Sequence, residues 1–169
     1  GKGYILIEGN DVAILNLGTR LEKCIEASKF LNQNNIYPTI ADARFAKPLD
    51  TQLIDNLLNN HKYILTIEEG SIGGFSSHVL HYVHNIRSKK DNVLIKNLIF
   101  PDRFVEHMTP DEQYQDIKMD TESIIKKINK LINRRLKHIQ LIHQTLFNQS
   151  KGVPRSQRKS FEKLIHIIT

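Results

Sequence analysis

The stretch Ile64-Leu-Thr-Ile-Glu-Glu-Gly-Ser-Ile-Gly-Gly-Phe75 joins an apolar run, two acidic residues and a glycine-bearing turn. An unbroken apolar run is typical of a strand that is buried on both faces, as in parallel sheets. We therefore predict a strand at 62–67 and, after the turn, a helix at about 75–87. A strand, a turn and a helix in this order indicate an α/β fold.

The same alternation extends in both directions from this unit. The sequence predicts further strands at 4–8, 12–17, 36–41 and 93–99, and helices at about 19–33, about 51–60, from Pro110 and from about Asp120. Strands that alternate with helices predict a largely parallel sheet with helices on both faces. The first two apolar runs flank Gly9-Asn10-Asp11, which predicts either a hairpin or an edge strand that leads into a core strand.

Several boundaries of these elements carry their own signals. Thr19, with Glu22 three residues later, has the spacing of a capping box and is the predicted N-cap of the first helix. Asp50 is the predicted N-cap of the second helix. Pro38 lacks a backbone donor, so it is expected near the start of its strand or at an edge of the sheet.

Composition limits the class of protein. The 169 residues suffice for one domain with a small appendage, and 40% of them are apolar. The single cysteine, Cys24, excludes an internal disulfide and a cysteine zinc cluster, so a reducing, cytoplasmic setting is expected. No apolar run reaches the length of a membrane span. The missing initiator Met suggests a fragment or a trimmed chain.

The net charge of +6 is concentrated in the last residues. Residues 134–169 contain eight Lys and Arg against one acid, which is +7, so residues 1–133 carry −1. We therefore predict a domain at 1–133 and a basic helical tail at 134–169. The tail either binds nucleic acid, anionic lipid or an acidic partner, or is a solvated or packed extension that is partly disordered. The chain has no Trp and few aromatic residues, so nucleic-acid binding is expected, if at all, through this tail.

The turn after the central strand is the strongest candidate site. Glycines before a helix N-terminus let backbone amides approach an anion. However, Gly70, Gly73 and Gly74 do not form the nucleotide-binding glycine pattern, and the two glutamates would repel a phosphate. The alternative is that these glycines permit close packing of strand, turn and helix.

Other candidate residues have structural alternatives of the same kind. Glu68 and Glu69 should point to opposite faces of their strand, so they are not expected to share a proton. Ser71 lies outside any nucleophile motif. His78 could share a helix face with His81 as metal ligands do, but a surface or interface histidine is the favoured interpretation.

Two arginines follow predicted strands in polar loops. Arg44 lies near Asp42, and Arg103 lies beside Asp102. Each arginine could bind a carboxylate or a phosphate. The favoured interpretation is that Asp42, Arg44, Asp102 and Arg103 form ion pairs that fix their loops.

Several stretches occur together in an order that resembles one family. They are Asp11-Val-Ala-Ile-Leu15, Leu17-Gly-Thr-Arg20, Ala41-Asp-Ala-Arg-Phe-Ala-Lys-Pro-Leu-Asp50, Thr66 to Phe75, Ser77-His-Val-Leu80 and Pro101-Asp-Arg-Phe104. Between residue 1 and about residue 133, the chain resembles the C-terminal domain of 1-deoxy-D-xylulose-5-phosphate synthases, in the transketolase superfamily. Pyruvate dehydrogenase beta subunits and transketolases share the fold but are less similar at 41–50.

The resemblance implies a three-layer α/β sandwich with a five-stranded, mostly parallel sheet and one antiparallel edge strand. The predicted C-terminal helical extension after about residue 133 rests on helical spacing alone, because that segment matches nothing in the family. It implies a homodimeric transferase that condenses pyruvate with glyceraldehyde 3-phosphate for isoprenoid, thiamine and pyridoxal synthesis. Its thiamine diphosphate, magnesium and principal catalytic groups belong to two upstream domains. We therefore expect no catalytic, cofactor or metal residue on this chain.

The sequence-based hypothesis is a structural and assembly domain of such a synthase. Its candidate interdomain or dimer contacts lie in the segment after the central strand: Glu68, Glu69, Gly70, Ser71, Gly73, Gly74 and His78. The alternative is a catalytically silent remnant, or a detached module that binds an anionic partner through its basic tail.

Overall fold

The computed structural model describes residues 1–86 and 93–133. The chain forms two compact units, Gly1–Ile128 and Asn129–Thr169, and the first unit contains the whole sheet. The predicted basic tail at 134–169 lies outside the described residues. None of the helices in the described ranges has the length and apolar content that crossing a bilayer requires.

Five strands form one mixed sheet in the order β1-β3-β2-β4-β5. Every neighbouring pair is parallel except β1 with β3, which is antiparallel. The five-stranded, mostly parallel sheet with one antiparallel edge strand is therefore confirmed. The strands are β1 (Tyr4–Ile7), β2 (Val12–Leu17), β3 (Pro38–Asp42), β4 (Tyr63–Glu68) and β5 (Leu94–Leu98).

The hairpin alternative for the first two strands is wrong. β2 is central and pairs with β3 on one side and β4 on the other, so β1 pairs with β3 instead. The turn between β1 and β2 crosses the start of β3, where the backbone amides of Asn10 and Asp11 donate to the Tyr37 carbonyl. Gly9 lies so close that a Cβ there would be 2.2 Å from the same oxygen.

Four helices and one π-helical turn are bounded within the first unit. They are α1 (Leu21–Gln33), α2 (Thr51–Asn60), α3 (Phe75–His81), the π-helical turn Tyr82–Ile86 that continues α3, and α4 (Pro110–Asp116). Residues 121–133 are also helical. The predicted single helix at 75–87 is therefore an α-helix followed by a wider turn.

The helices cover both faces of the sheet. Ala13, Leu15 and Ile64 belong to a buried cluster with residues of α2 and α3, including Leu57 and Val79. Side chains alternate along a strand, so Asn16 points to the other face, where its side-chain oxygen is 3.9 Å from the Cys24 thiol of α1. The core is thus two apolar layers, one on each side of the sheet, which confirms the sandwich.

The predicted boundaries were partly correct. Asp50 caps α2 by accepting from the Leu53 amide, and Pro38 opens its strand. The capping box at Thr19 is wrong: the N-cap of α1 is Arg20, and no side chain caps it. The Thr19 hydroxyl instead donates to Glu69, 50 residues away in sequence.

Candidate functional site

The polar residues singled out by sequence lie at one edge of the sheet. β2, β3, β4 and β5 are parallel, so the loops that follow them meet there, at 18–20, 43–49, 69–74 and 99–109. We call these loops the carboxyl edge. Ligands of open α/β sheets bind at this edge, so a binding site is expected there.

Glu68 ends β4 and turns its carboxylate into the protein, where the residue is 5% exposed. One carboxylate oxygen accepts from the Phe75 amide at 2.8 Å and the other from the Ser76 amide at 2.7 Å. These are the first amides of α3, which would otherwise lack partners within the helix. The helix N-terminus therefore binds an anion, and that anion is the side chain of Glu68.

The glycines of the turn make room for this carboxylate. A Cβ on Gly74 would lie 2.4 Å from a Glu68 carboxylate oxygen, and a Cβ on Gly70 would lie 2.8 Å from it. Gly73 has open space around it but a φ of +102°, which side chains disfavour. The geometry favours the packing interpretation of these glycines over phosphate binding.

Glu69 points the other way and joins separate elements. Its carboxylate accepts from the Thr19 hydroxyl at 2.6 Å and from the Tyr114 hydroxyl of α4, and it lies 3.2 Å from the Arg20 side-chain Nε. The Arg20 guanidinium also stacks on the Tyr114 ring, 3.4 Å from its centre. As expected, the two carboxylates point in opposite directions, and they have different partners.

This network shifts two pKa values. Burial raises the pKa of Glu69, but hydrogen bonds from Thr19 and Tyr114 and the charge of Arg20 outweigh that effect and leave the pKa lowered. The hydrogen bond to Glu69, together with burial, raises the pKa of Tyr114. At neutral pH the pair is therefore a carboxylate and a neutral phenol, as an ion-pair network needs.

Part of this network was not predicted from the sequence. Arg20 and Thr19 lie in the quoted stretch Leu17–Arg20, but they were not singled out as site residues. Tyr114 had no local signal, because it is 45 residues from its partner. Only the fold brings α4 beside the end of β4.

A shallow cleft of about 380 Å³ opens beside this network. Arg20, Lys23 and Tyr114 line one part of it, and the remaining lining includes Asp111, Asp120 and Glu122. Three carboxylates against two cations would repel a phosphate, so the cleft does not fit a phosphorylated substrate.

The remaining candidates of this segment are not brought together into a reactive group. Ser71 is exposed, and its backbone carbonyl accepts from the Gly74 amide at 3.2 Å. His78 is half-buried on α3, and the His81 ring contacts the Asn85 side chain. Within 1–86 and 93–133, no three His, Cys, Asp or Glu side chains are placed to hold a metal.

The two arginine loops differ from the expected ion pairs. The Asp42 carboxylate accepts from the backbone amide of Arg44, and the Arg44 guanidinium lies over the rings of Tyr4 and Phe45. Arg103 ion-pairs at 2.5 Å with Asp116 of α4, and in the described part of the chain it forms no pair with Asp102. Among the described residues, neither arginine side chain forms an ion pair with the neighbouring aspartate, and only Asp42 stabilises its loop, through the Arg44 amide.

The described residues do not fit thiamine diphosphate and magnesium. The amides that a diphosphate would use at the start of α3 are bound by Glu68, and the space beside them is filled by its carboxylate. No metal-binding group of side chains lies in the described ranges. We therefore assign no step of thiamine chemistry to these residues.

Comparison with known proteins agrees with this arrangement. The family model "Transketolase, C-terminal domain" matches residues 1–124. A probable 1-deoxy-D-xylulose-5-phosphate synthase 2, chloroplastic, of Oryza sativa subsp. japonica is 40% identical over 141 residues. That match covers 83% of this chain and 20% of the rice protein.

Solved structures show the same fold. A split gene transketolase, solved as an inactive beta4 tetramer, has a TM-score of 0.70 and 25% identity, over 78% of this chain and 42% of that one. A Pichia stipitis transketolase in complex with sedoheptulose 7-phosphate has a TM-score of 0.58 and 18% identity, over 78% and 18%. This chain thus spans less than half the length of each of these relatives. It belongs to the transketolase C-terminal domain family.

Proposed function

We propose that this chain is the C-terminal assembly domain of a 1-deoxy-D-xylulose-5-phosphate synthase. That enzyme would use thiamine diphosphate and magnesium, held by upstream domains, to condense pyruvate with glyceraldehyde 3-phosphate in isoprenoid, thiamine and pyridoxal synthesis. This domain would supply no catalytic group. Its carboxyl edge would contact the upstream domains or the second protomer of a homodimer.

The observation that carries the proposal is that the anion position at the carboxyl edge is already filled, while large apolar side chains of the same edge are exposed. Glu68 fills the anion position at α3, while Ile72 in the same turn is 73% exposed. Phe104, in the loop after β5, is 98% exposed. The two loops are joined by a hydrogen bond of 2.8 Å from the Phe100 amide to the Gly70 carbonyl. Two large apolar side chains on adjoining loops are typical of an interface.

The relatives support the same function. The rice protein is five times longer than the part this chain covers, which leaves room for catalytic domains upstream. The split gene transketolase is described as an inactive tetramer of beta subunits. That protein, which contains a domain of the same fold, is thus both assembled and inactive.

Reconstitution tests the proposal. The chain is mixed with pyruvate, glyceraldehyde 3-phosphate, thiamine diphosphate and magnesium, with and without the separately expressed part of the rice synthase that precedes the matched segment. Product is measured in both mixtures and with the rice fragment alone. We expect product only when both polypeptides are present.

The other outcomes contradict the proposal in different ways. Product from this chain alone would place catalytic groups on it. Silence in every mixture, with both polypeptides folded by circular dichroism, would favour a remnant or a module that acts through its basic segment at 134–169. A salt-sensitive affinity for nucleic acid that is lost on deleting 134–169 would identify the module.

A further inference from the structure

Arg44 is held in a conformation that few side chains adopt. Its φ is +59°, in the left-handed region, and it lies two residues after the end of β3, at the carboxyl edge. The Asp42 carboxylate stabilises this conformation by accepting from the Arg44 amide at 2.9 Å. The loop continues with a tight turn in which the Phe45 amide donates to the Ala43 carbonyl.

The strained backbone presents the guanidinium to two aromatic rings. Its central carbon lies 5.7 Å from the ring centres of both Tyr4 and Phe45, within the range of cation–π contact. Tyr4 and Phe45 are themselves 46% and 44% exposed. An arginine held between rings at the surface has already lost much of its rotamer freedom, so binding a partner costs less entropy.

The carboxylates of Asp42 and Asp50 bind groups other than the Arg44 guanidinium. Asp42 binds the backbone of its own loop, and Asp50 caps α2 while also accepting from the Gly3 amide and pairing with Lys2. Among the described residues, Arg44 forms no ion pair. Arg44 and the rings of Tyr4 and Phe45 therefore form a surface patch whose guanidinium has no carboxylate partner among the described residues.

The first residue of the chain lies on this patch. A Cβ on Gly1 would be 2.4 Å from the Phe45 ring, so the Gly1 backbone packs directly against it. Since β1 runs antiparallel to β3, residues 1–4 lie beside the end of β3. Any polypeptide that precedes residue 1 in a longer protein therefore arrives next to Arg44.

We propose that Arg44 is a docking cation that binds a carboxylate on the upstream part of the same synthase polypeptide. The planar guanidinium binds carboxylates with two parallel hydrogen bonds. The upstream polypeptide of the proposed synthase is the chosen occupant because it would enter the domain beside Arg44, and because the match leaves 80% of the rice relative uncovered. This inference rests on the proposed function and names its contact.

Reconstitution titrations test the inference. The chain is titrated into the upstream rice fragment, and its half-saturating concentration is measured from product formation and from direct binding, at low and high NaCl. Arg44→Asn removes the cation but tolerates a positive φ. Arg44→Lys keeps the charge without the planar fork. Lys62→Asn removes an exposed cation at the opposite edge of the sheet, just before β4, and is the matched control.

We expect Arg44→Asn to raise the half-saturating concentration about tenfold and to weaken its dependence on NaCl. Arg44→Lys should be intermediate, and Lys62→Asn should match the unaltered chain. Equal half-saturation for Arg44→Asn and the unaltered chain would overturn the inference and leave the proposed function standing. Failure of the unaltered chain to bind the fragment would overturn both.

One further outcome identifies a different occupant. Sedimentation of the chain alone shows whether Arg44→Asn weakens self-association. If it does so while binding of the upstream fragment is unchanged, the carboxylate belongs to a second copy, and the inference is wrong. Melting curves of each variant show that the domain stays folded.

Discussion

The adjacent glutamates Glu68 and Glu69 have the same side chain but bind different kinds of groups in this domain. Glu68 faces inward and binds two backbone amides of α3, which makes it part of the fold. Glu69 faces the loop after β2 and α4, where it binds side chains. The alternation of side chains along β4 accounts for the difference, because one step along a strand reverses the direction.

Replacing Glu68 with Gln tests the structural role of the first carboxylate. The amide nitrogen of Gln would face a backbone N–H, so one of two charge-assisted hydrogen bonds is lost in a buried place. We expect the free energy of unfolding in urea to fall by about 2 kcal/mol. Glu8→Gln, at an exposed glutamate after β1, is the control and should be neutral. A loss below about 0.5 kcal/mol for Glu68→Gln would contradict the role.

Replacing Glu69 with Gln tests the lowered pKa. The ordinary pKa of Glu is 4.5, and that of folded Glu69 is lower. Its carboxylate therefore contributes stability above about pH 4.5, and this contribution is lost as pH falls through the folded pKa. The difference in unfolding free energy between the unaltered chain and Glu69→Gln should be constant from about pH 5.5 to 7 and shrink below about pH 4.5. A difference that does not change with pH would show that the charge of Glu69 has no part in stability.

At the scale of elements, the turn between β4 and α3 shows two separate reasons for glycine. Gly74 has an ordinary φ of −78° but no space, since its Cβ would meet Glu68. Gly73 has space but a positive φ. The order of substitution costs follows from this difference.

We expect Gly74→Val to lower the free energy of unfolding by about 2–3 kcal/mol, because the branched side chain displaces the Glu68 carboxylate from α3. Gly73→Ala should cost about 1 kcal/mol, the penalty for a side chain at positive φ. Urea denaturation measures both. An equal or reversed order of the two costs would refute the packing role of Gly74.

The elements were largely predictable from sequence because their signals are local. The apolar runs gave the strands, and the Asp50 cap and the Pro110 start were correct. The pairing of β1 with β3 and the hydrogen bond from Thr19 to Glu69 were not predictable, because both depend on contacts between distant segments. The N-cap of α1 is Arg20, and the Thr19 hydroxyl donates to the Glu69 carboxylate, which only the fold brings beside it.

In the candidate site, too, the features with local signals were predictable and the contacts between distant segments were not. Sequence located the turn at 68–78 and gave the opposed directions of its two glutamates, which depend only on strand geometry. The partners of Glu69 came from elsewhere: Arg20 from the loop after β2, and Tyr114 from α4. A residue such as Tyr114, in a short helix after a long loop, has no spacing relation that would indicate its partner.

At the scale of the whole molecule, the polar groups at the start of α3 and around Glu69 are bound to one another within the protein, and other side chains of the carboxyl edge face outward. Glu68 occupies the anion position, and Glu69 with Arg20 and Tyr114 ties α4 to the sheet. What faces outward is apolar at Ile72 and Phe104 and cationic at Arg44.

Cys24 offers a test of how the first unit opens as a whole. It is the only cysteine in the sequence, it is 0% exposed on α1, and burial raises its pKa to about 12. A thiol reagent needs the exposed thiolate, so labelling of the folded chain should be slow and should require unfolding. A loss of about 1.4 kcal/mol in unfolding free energy raises the unfolded fraction tenfold. The expected loss of about 2 kcal/mol for Glu68→Gln should therefore raise the labelling rate of Cys24 more than tenfold. If neither Glu68→Gln nor low concentrations of urea change the labelling rate of Cys24, then α1 must open locally. In that case the first unit does not unfold as a single cooperative body.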